Sequence, residues 1–151
     1  MHIKIRDFTK ADAEAASYMI TRNLLEINCR DYPIKVIEFM KSLYTAEYLI
    51  DIMEQRNMIV AHDESEVIGI SALEDNLIYT VFVNPDYHGK GIGAMLMKEI
   101  ENYALSKGIN HVILYASLSA YEFYSKLGYR KTGQEEDENF GKAYVMEKNL
   151  R

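Results

Sequence analysis

Apolar positions along the chain follow two different periods. Near the N-terminus Ile3 and Ile5 alternate with Lys4 and Arg6, the two-residue period of a half-buried strand over residues 2–7. Thr9-Lys10-Ala11-Asp12 then resembles a capping box with Asp in place of Glu, and it predicts a helix running to about Asn28. Asp31-Tyr32-Pro33 breaks that helix. A shorter one is predicted over about 34–42, and Thr45-Ala46-Glu47 caps a third that runs to about Gln55. Beyond that point the period shortens. Met58 to Ala61, Val67 to Leu73 and Leu77 to Val83 read as three strands of a meander, turned at Asp63-Glu64-Ser65-Glu66 and at Glu74-Asp75-Asn76. An amphipathic stretch predicts a helix over about 90–106, stopped by Lys107-Gly108. Val112 to Tyr115 reads as a buried strand and 117–127 as a helix ended by Gly128. Strands near 129–132 and 143–148, joined across the acidic turn Glu135 to Asn139, finish the chain. The pattern is that of an α+β domain with a mixed sheet. The crossover from strand 77–83 to strand 110–115 is expected to be parallel and right-handed.

One junction carries more information than the rest. Strand 77–83 runs through Asn84-Pro85-Asp86-Tyr87 into His88-Gly89-Lys90-Gly91-Ile92-Gly93, and the helix follows at Ala94. Glycines let backbone N–H groups approach a ligand closely, and the first helical turn adds unpaired N–H groups at the positive end of its dipole. Strand, glycine turn and helix start together suit a phosphate or pyrophosphate. A dinucleotide fold places this motif after its first strand, with an acidic residue about 20 positions on. Here the motif lies past mid-chain, and Ile109 to Val112 holds no acid. The P-loop pattern fails because no Gly-Lys-Ser/Thr follows four free positions.

The block His88 to Gly93 resembles motif A of the GNAT superfamily of acyl-CoA N-acyltransferases, Gln/Arg-x-x-Gly-x-Gly/Ala after a strand and a proline turn. His88 departs from the usual Gln or Arg. A second block, Ala120-Tyr121-Glu122-Phe123-Tyr124-Ser125-Lys126-Leu127-Gly128-Tyr129, resembles motif B of the same family, in the family's order and distance. The likeness is good over roughly residues 57 to 148 and holds only in outline before them. It implies α/β/α layers around a mostly antiparallel sheet, with a central splayed parallel strand pair flanked by helices. It also implies that the pantetheine arm of acetyl-CoA lies in the splay. Within that resemblance, His88, Gly89, Lys90, Gly91, Ile92, Gly93 and Ala94 form the diphosphate cradle. Val81, Phe82 and Val83 offer backbone partners to the pantetheine amides. Ser117 stands where many relatives have an Asn that bonds the same arm, although its hydroxyl also suits a helix cap. Lys126 belongs to the same cofactor-binding set.

Acetyl transfer to an amine needs a positioned thioester, an acceptor that has lost a proton and an acid for the departing thiolate. A thiol titrates near about 8.5 and a phenol near about 10, so a tyrosine can protonate the thiolate. Tyr124 matches the family's general-acid tyrosine, with Phe123 expected to face the core and Tyr124 the cleft. The general base is less legible. Some relatives carry a Glu near the start of the strand before the glycine loop, but Leu77 to Thr80 hold no carboxylate. Glu74 and Asp75, just upstream, are candidates acting through water; Tyr79 and a water chain are alternatives. The acceptor is expected between the first two helices and their loop, with Asn28, Asp31, Tyr32 and Tyr79 as contacts.

Composition narrows the remaining classes. The chain has 151 residues, suited to a single domain over 1–151. Seventeen Lys and Arg against 23 Asp and Glu give a net charge of -6, which argues against nucleic acid or an anionic membrane and favours a cationic amine. One cysteine, Cys29, permits no internal disulfide and points to a cytoplasmic setting. It sits beside no activating group but Arg30, so direct transfer is favoured over an acyl-cysteine. His2, His62, His88 and His111 show no ligand spacing, so no metal is expected. The reading is an acetyl-CoA-dependent N-acetyltransferase of a primary amine, monomer or homodimer. A non-catalytic acyl-CoA sensor and a structural dimer module are the alternatives from other classes.

Overall fold

The first helix begins as its cap predicts. In the computed structural model, which describes residues 1–151, the Asp12 carboxylate accepts from Thr9 N at 2.8 Å, satisfying an amide that the helix cannot. Asp12 also takes both terminal nitrogens of Arg6, at 2.8 and 2.9 Å. Arg6 lies on β1 (Ile3–Asp7), so this pair fastens the helix start to the sheet edge. After a short 3-10 turn, α1 (Ala13–Glu26) buries Ala16, Met19, Ile20, Asn23 and Leu24, a stripe at helical spacing. Next come α2 (Ile34–Leu43) and α3 (Ala46–Ile52), the latter capped by Thr45 Oγ1, which accepts from Tyr48 N at 3.2 Å.

The meander is present as β2 (Asn57–Asp63), β3 (Glu66–Glu74) and β4 (Leu77–Val83). β4 leads through the proline turn to α4 (Ile92–Ser106), then to β5 (His111–Ala116), α5 (Tyr121–Lys126), β6 (Arg130–Asp137) and β7 (Gly141–Asn149). The seven strands form one sheet in the order β1-β2-β3-β4-β5-β7-β6. Every neighbouring pair is antiparallel except β4 and β5, which are parallel as expected.

Helices cover both faces, so the layers are α/β/α. On one face α1, α2 and α3 enclose Leu24, Val36, Leu49, Val60 and Ile70; on the other α4 and α5 enclose Ile68, Leu96, Ile100, Leu114 and Met146. β3 is buried at every position from Val67 to Leu73 because it has a helical layer on each side.

Two boundaries differ from the sequence reading. The segment 117–127 divides into a 3-10 turn at Leu118–Ala120 and a six-residue α5. The acidic residues Glu135, Glu136 and Asp137 are not a turn but the end of β6, paired with Ala143, Lys142 and Gly141. Acidic residues have low strand propensity, yet β7 supplies a partner ladder, and charge on an edge strand discourages pairing with another chain.

α4 lies closest to the sheet at Gly69, where an added Cβ would come 2.8 Å from Leu96 Cδ1 and 3.2 Å from Ile92 Cγ2. Both side chains are almost wholly buried. Gly69→Val is therefore expected to cost about 1–3 kcal/mol, read as a lower urea midpoint at unchanged slope.

Candidate active site

β4 and β5 pair at only two positions, Leu77 with Ile113 and Ile78 with Leu114. Beyond them the strands separate, leaving one side of β4 from Tyr79 to Val83 without a strand partner. A bulge at the same level enforces the divergence. The β3 ladder passes from Ala72–Tyr79 to Ile70–Phe82, so β4 carries one residue too many. Thr80 absorbs it at φ +58°, a left-handed conformation that costs energy for a β-branched residue. Arg56, which sequence reasoning missed, braces this point. Its Nη1 donates to Thr80 Oγ1 at 3.2 Å, its Nε to Glu74 Oε1 at 3.1 Å, and its guanidinium stacks 4.0 Å from the Tyr79 ring centroid.

At its far end β4 delivers the glycine loop. Gly89 and Gly91 sit at φ +78° and +83°, conformations that admit glycine without strain. No amide from Gly89 to Ala94 donates to a backbone carbonyl; the ladder resumes with Met95 N to Gly91 O at 3.1 Å. Six successive unpaired donors at the positive end of a 15-residue helix are a diphosphate site in waiting. A Cβ on Gly89 or Gly91 would meet no protein atom within 4 Å, so the space above the donors is open to a ligand. The residues present thus fit coenzyme A. Lys90 lies exposed with its ammonium 5.5 Å from the Tyr87 ring centroid. His88 plays a different part from the glycines. Its Nε2 lies 3.0 Å from Val83 O and 3.1 Å from Asn23 Oδ1, and its amide turns back to Pro85 O at 3.4 Å.

Tyr124 is 8% exposed, while Phe123 is 37% exposed with its ring against Gly93 in the first turn of α4. Phe123 is therefore not turned to the core as expected, and the Tyr124 ring packs among Leu96, Ile100 and Met146. The Tyr124 hydroxyl makes no hydrogen bond, yet Ser71 Oγ is the one fully buried side-chain polar atom without a partner, so the phenol oxygen keeps a small opening to solvent. Burial, and then the nearby Tyr32, push its proton affinity well above that of a free phenol. No carboxylate contributes to that shift. Ser117 precedes the 118–120 turn without capping it, which leaves its hydroxyl free, and Lys126 is exposed in the last turn of α5.

The other proposed residues divide into two places. Glu74 and Asp75 stand at the β3–β4 hairpin, Glu74 held by Arg56 and Asp75 in the turn at φ +53°. Both act electrostatically on Tyr79, as does Tyr115 across the apex of the splay. Asn28, Asp31 and Tyr32 lie on the α1–α2 loop, and Tyr32 is the one near Tyr124. Asn28 Oδ1 accepts from Asn23 Nδ2 at 2.9 Å, and Asp31 Oδ2 accepts from Ser119 Oγ at 2.5 Å. Arg22 was also missed. It donates through Nη1 and Nη2 to the two Asp86 oxygens at 3.0 and 3.1 Å, and through Nε to Glu26 at 2.8 Å, fastening α1 to the turn before the glycine loop. Arg22 and Glu26 share a helix face at i,i+4 spacing, a visible signal; Asp86 lies 64 positions away and gave none.

A splayed parallel pair with an unpaired row of helix-start amides suits an acyl-CoA-dependent acyltransferase. Residues 29–150 match the acetyltransferase (GNAT) domain family, and the chain belongs to that family. Its co-substrate is acetyl-CoA. The chain is 30% identical over 113 residues to the peptidyl-lysine N-acetyltransferase YjaB of Salmonella typhimurium, covering 72% of this chain and 77% of that protein. The fold superposes on a GCN5-related N-acetyltransferase of Rhodopseudomonas palustris with a TM-score of 0.92 at 21% identity, covering 99% of this chain and 97% of the other. It also superposes on the PaiA N-acetyltransferase of Thermoplasma acidophilum, solved in complex with coenzyme A, with a TM-score of 0.84 at 23% identity over 99% of both chains. No helix is long and apolar enough to cross a membrane.

Two outcomes follow from this geometry. Gly91→Ala puts a methyl where the ligand space is and strains the left-handed backbone by roughly 1–2 kcal/mol. Acetyl-CoA binding by calorimetry should weaken about tenfold or more while the protein stays folded. Two tyrosines packed against the core under α1, α2 and α3 set an alkaline limit. Burial pushes Tyr32 and Tyr44 up to about 12, against about 10 in the unfolded chain. Their contribution to stability is whole below pH about 10 and declines as pH rises towards 12, because the unfolded phenols ionise first. The urea midpoint should fall as pH rises from about 10 towards 12, and fall less steeply in Tyr44→Phe.

Proposed function

We propose that residues 1–151 act as one domain that transfers an acetyl group from acetyl-CoA to a primary amine by direct attack on the thioester, and that the amine is a lysine side chain of a protein or peptide. The observation that carries the transfer is the row of six unpaired amides at the start of α4, set at the open end of the β4–β5 splay. That row would hold the diphosphate, and Gly89, Gly91 and Gly93 would keep side chains out of its way. Backbone groups of Val81 to Val83 and the free Ser117 hydroxyl would bond the pantetheine arm, directing the thioester towards Tyr124. Coenzyme A supplies the activated acetyl group as a thioester.

Burial keeps Tyr124 protonated at neutral pH, so it has a proton to give; it would donate to the thiolate as the C–S bond breaks, as a weaker acid than a free phenol. Proton removal from the ammonium is assigned to water, because Glu74 is occupied by Arg56 and Asp75 sits in the hairpin turn. Cys29 is exposed on the α1–α2 loop, and direct transfer needs no acyl-enzyme. The lysine acceptor is supported by the peptidyl-lysine activity named for the 30%-identical relative and by the net charge of -6, which favours a cationic substrate.

A thiol-release screen with acetyl-CoA against lysine peptides, free amino acids, polyamines and aminoglycosides tests both parts. Lysine peptides should give the highest kcat/KM. Turnover restricted to small amines would overturn the acceptor, and tight acetyl-CoA binding without turnover on any amine would leave the sensor reading. Tyr124→Phe should lower kcat about 100-fold or more with acetyl-CoA affinity unchanged.

A further inference from the structure

Asp31 looks at first like the anionic anchor for a cationic acceptor. Its carboxylate is already engaged. Oδ2 accepts from the Ser119 hydroxyl at 2.5 Å and from the Ser119 amide at 3.2 Å, a charge-assisted pair joining residues 88 positions apart. The two loops it joins are informative. Asp31 lies on the α1–α2 loop immediately before Tyr32; Ser119 lies in the 3-10 turn that leads directly into α5 and Tyr124.

Tyr32 is seated from the opposite side as well. Gly141, at the start of β7, has its backbone against the Tyr32 ring, and a Cβ there would come 2.8 Å from Cδ1 and 3.1 Å from Cε1. Tyr32 also packs against the buried cluster under α1, α2 and α3 that contains Val36. The ring is thus held by its own loop, by the β7 start and by that core, and it lies near enough to Tyr124 to act on it electrostatically.

We propose that the Asp31–Ser119 pair is a clamp that holds Tyr32 opposite Tyr124, making Tyr32 the wall that positions the acceptor amine and Asp31 a positioning residue that does not bind the amine's charge. This rests on the acetyl transfer proposed above. The clamp ties the acceptor loop to the element that carries the acid, so one contact sets the distance between the incoming amine and the departing thiolate. A displaced loop would weaken acceptor binding without touching the diphosphate cradle.

A double-mutant cycle distinguishes clamp from anchor. Wild type, Asp31→Ala, Ser119→Ala, the double variant and Asp31→Asn are compared with acetyl-CoA and a capped peptide holding a single internal lysine. Each alanine variant should raise the peptide KM about fivefold to tenfold and leave the acetyl-CoA KM unchanged. The double variant should be no more than about twofold worse than the poorer single variant. Asp31→Asn keeps an acceptor oxygen for Ser119 and should return to within about twofold of wild type. Effects that multiply in the double variant, or an asparagine variant as impaired as the alanine one, would overturn the clamp in favour of a charge anchor.

Amide hydrogen exchange of the same proteins gives a readout that needs no acceptor. The amides of residues 28–32 should exchange faster than wild type in both single variants and no faster in the double than in either single, with the glycine loop unchanged. Unaltered exchange over 28–32 would overturn the proposal whatever the kinetics show. Failure of the wild type to acetylate the lysine peptide, with the exchange effect present, would count against the lysine acceptor and not against the clamp.

Discussion

The separation of β4 from β5 after two paired positions is the constraint on which the rest depends. A parallel pair in the middle of a sheet normally continues to the strand ends, since every unpaired backbone group must otherwise find water or a ligand. Here a residue inserted at Thr80 bends β4 away, at the cost of a left-handed backbone for a β-branched side chain. The Arg56 guanidinium, held between Glu74, Thr80 and the face of Tyr79, keeps that conformation in place. The strained bulge accompanies a slot in a layered α/β/α structure that is otherwise covered on both faces, and leaves one edge of β4 from Tyr79 to Val83 without a strand partner.

The same strand sets the position of the cradle. Because β4 runs directly into the proline turn and glycine loop, the row of free amides is held at the open end of the slot. α1 is bound to this loop by Arg22 to Asp86 and by Asn23 to His88. His88 is where the chain departs from the family's usual Gln or Arg, and its imidazole bridges the end of β4 and α1. Asn23 in turn reaches Asn28 at the start of the α1–α2 loop. The glycine loop and the α1–α2 loop therefore both bear on the last turns of α1, through side chains up to 65 positions apart.

Around the splay the titratable groups are mostly phenols. Tyr124, Tyr32, Tyr79 and Tyr115 contribute rings near the splay, and burial keeps the first two protonated well beyond the ordinary range. A buried neutral phenol costs little to desolvate compared with a buried carboxylate, which would need a partner. Three acids on the margins of this region are already paired, Glu74 with Arg56, Asp31 with Ser119 and Asp86 with Arg22, and Asp75 lies in the hairpin turn.

Much of the fold was legible because it is written in local patterns. Alternation marked β1; short apolar runs bounded by turn residues marked the meander and β5; Thr9 with Asp12 and Thr45 marked helix starts; and the spacing from Gly89 to Gly93 marked the glycine loop, since each depends on residues within a turn or two of one another. The acidic stretch 135–137 was misread as a turn because its strand state comes from pairing with β7, which propensity does not encode. The bulge at Thr80 left no trace, as threonine ordinarily favours the extended backbone. How Phe123 and Tyr124 divide between the start of α4 and the core was decided by packing between elements. Arg56, Arg22 and Ser119 carry their meaning only through partners 18, 64 and 88 positions away. Periodicity reports which side of an element is apolar; which charged group meets which is settled only when the layers close and each buried or half-buried polar atom must find a partner within about 3 Å.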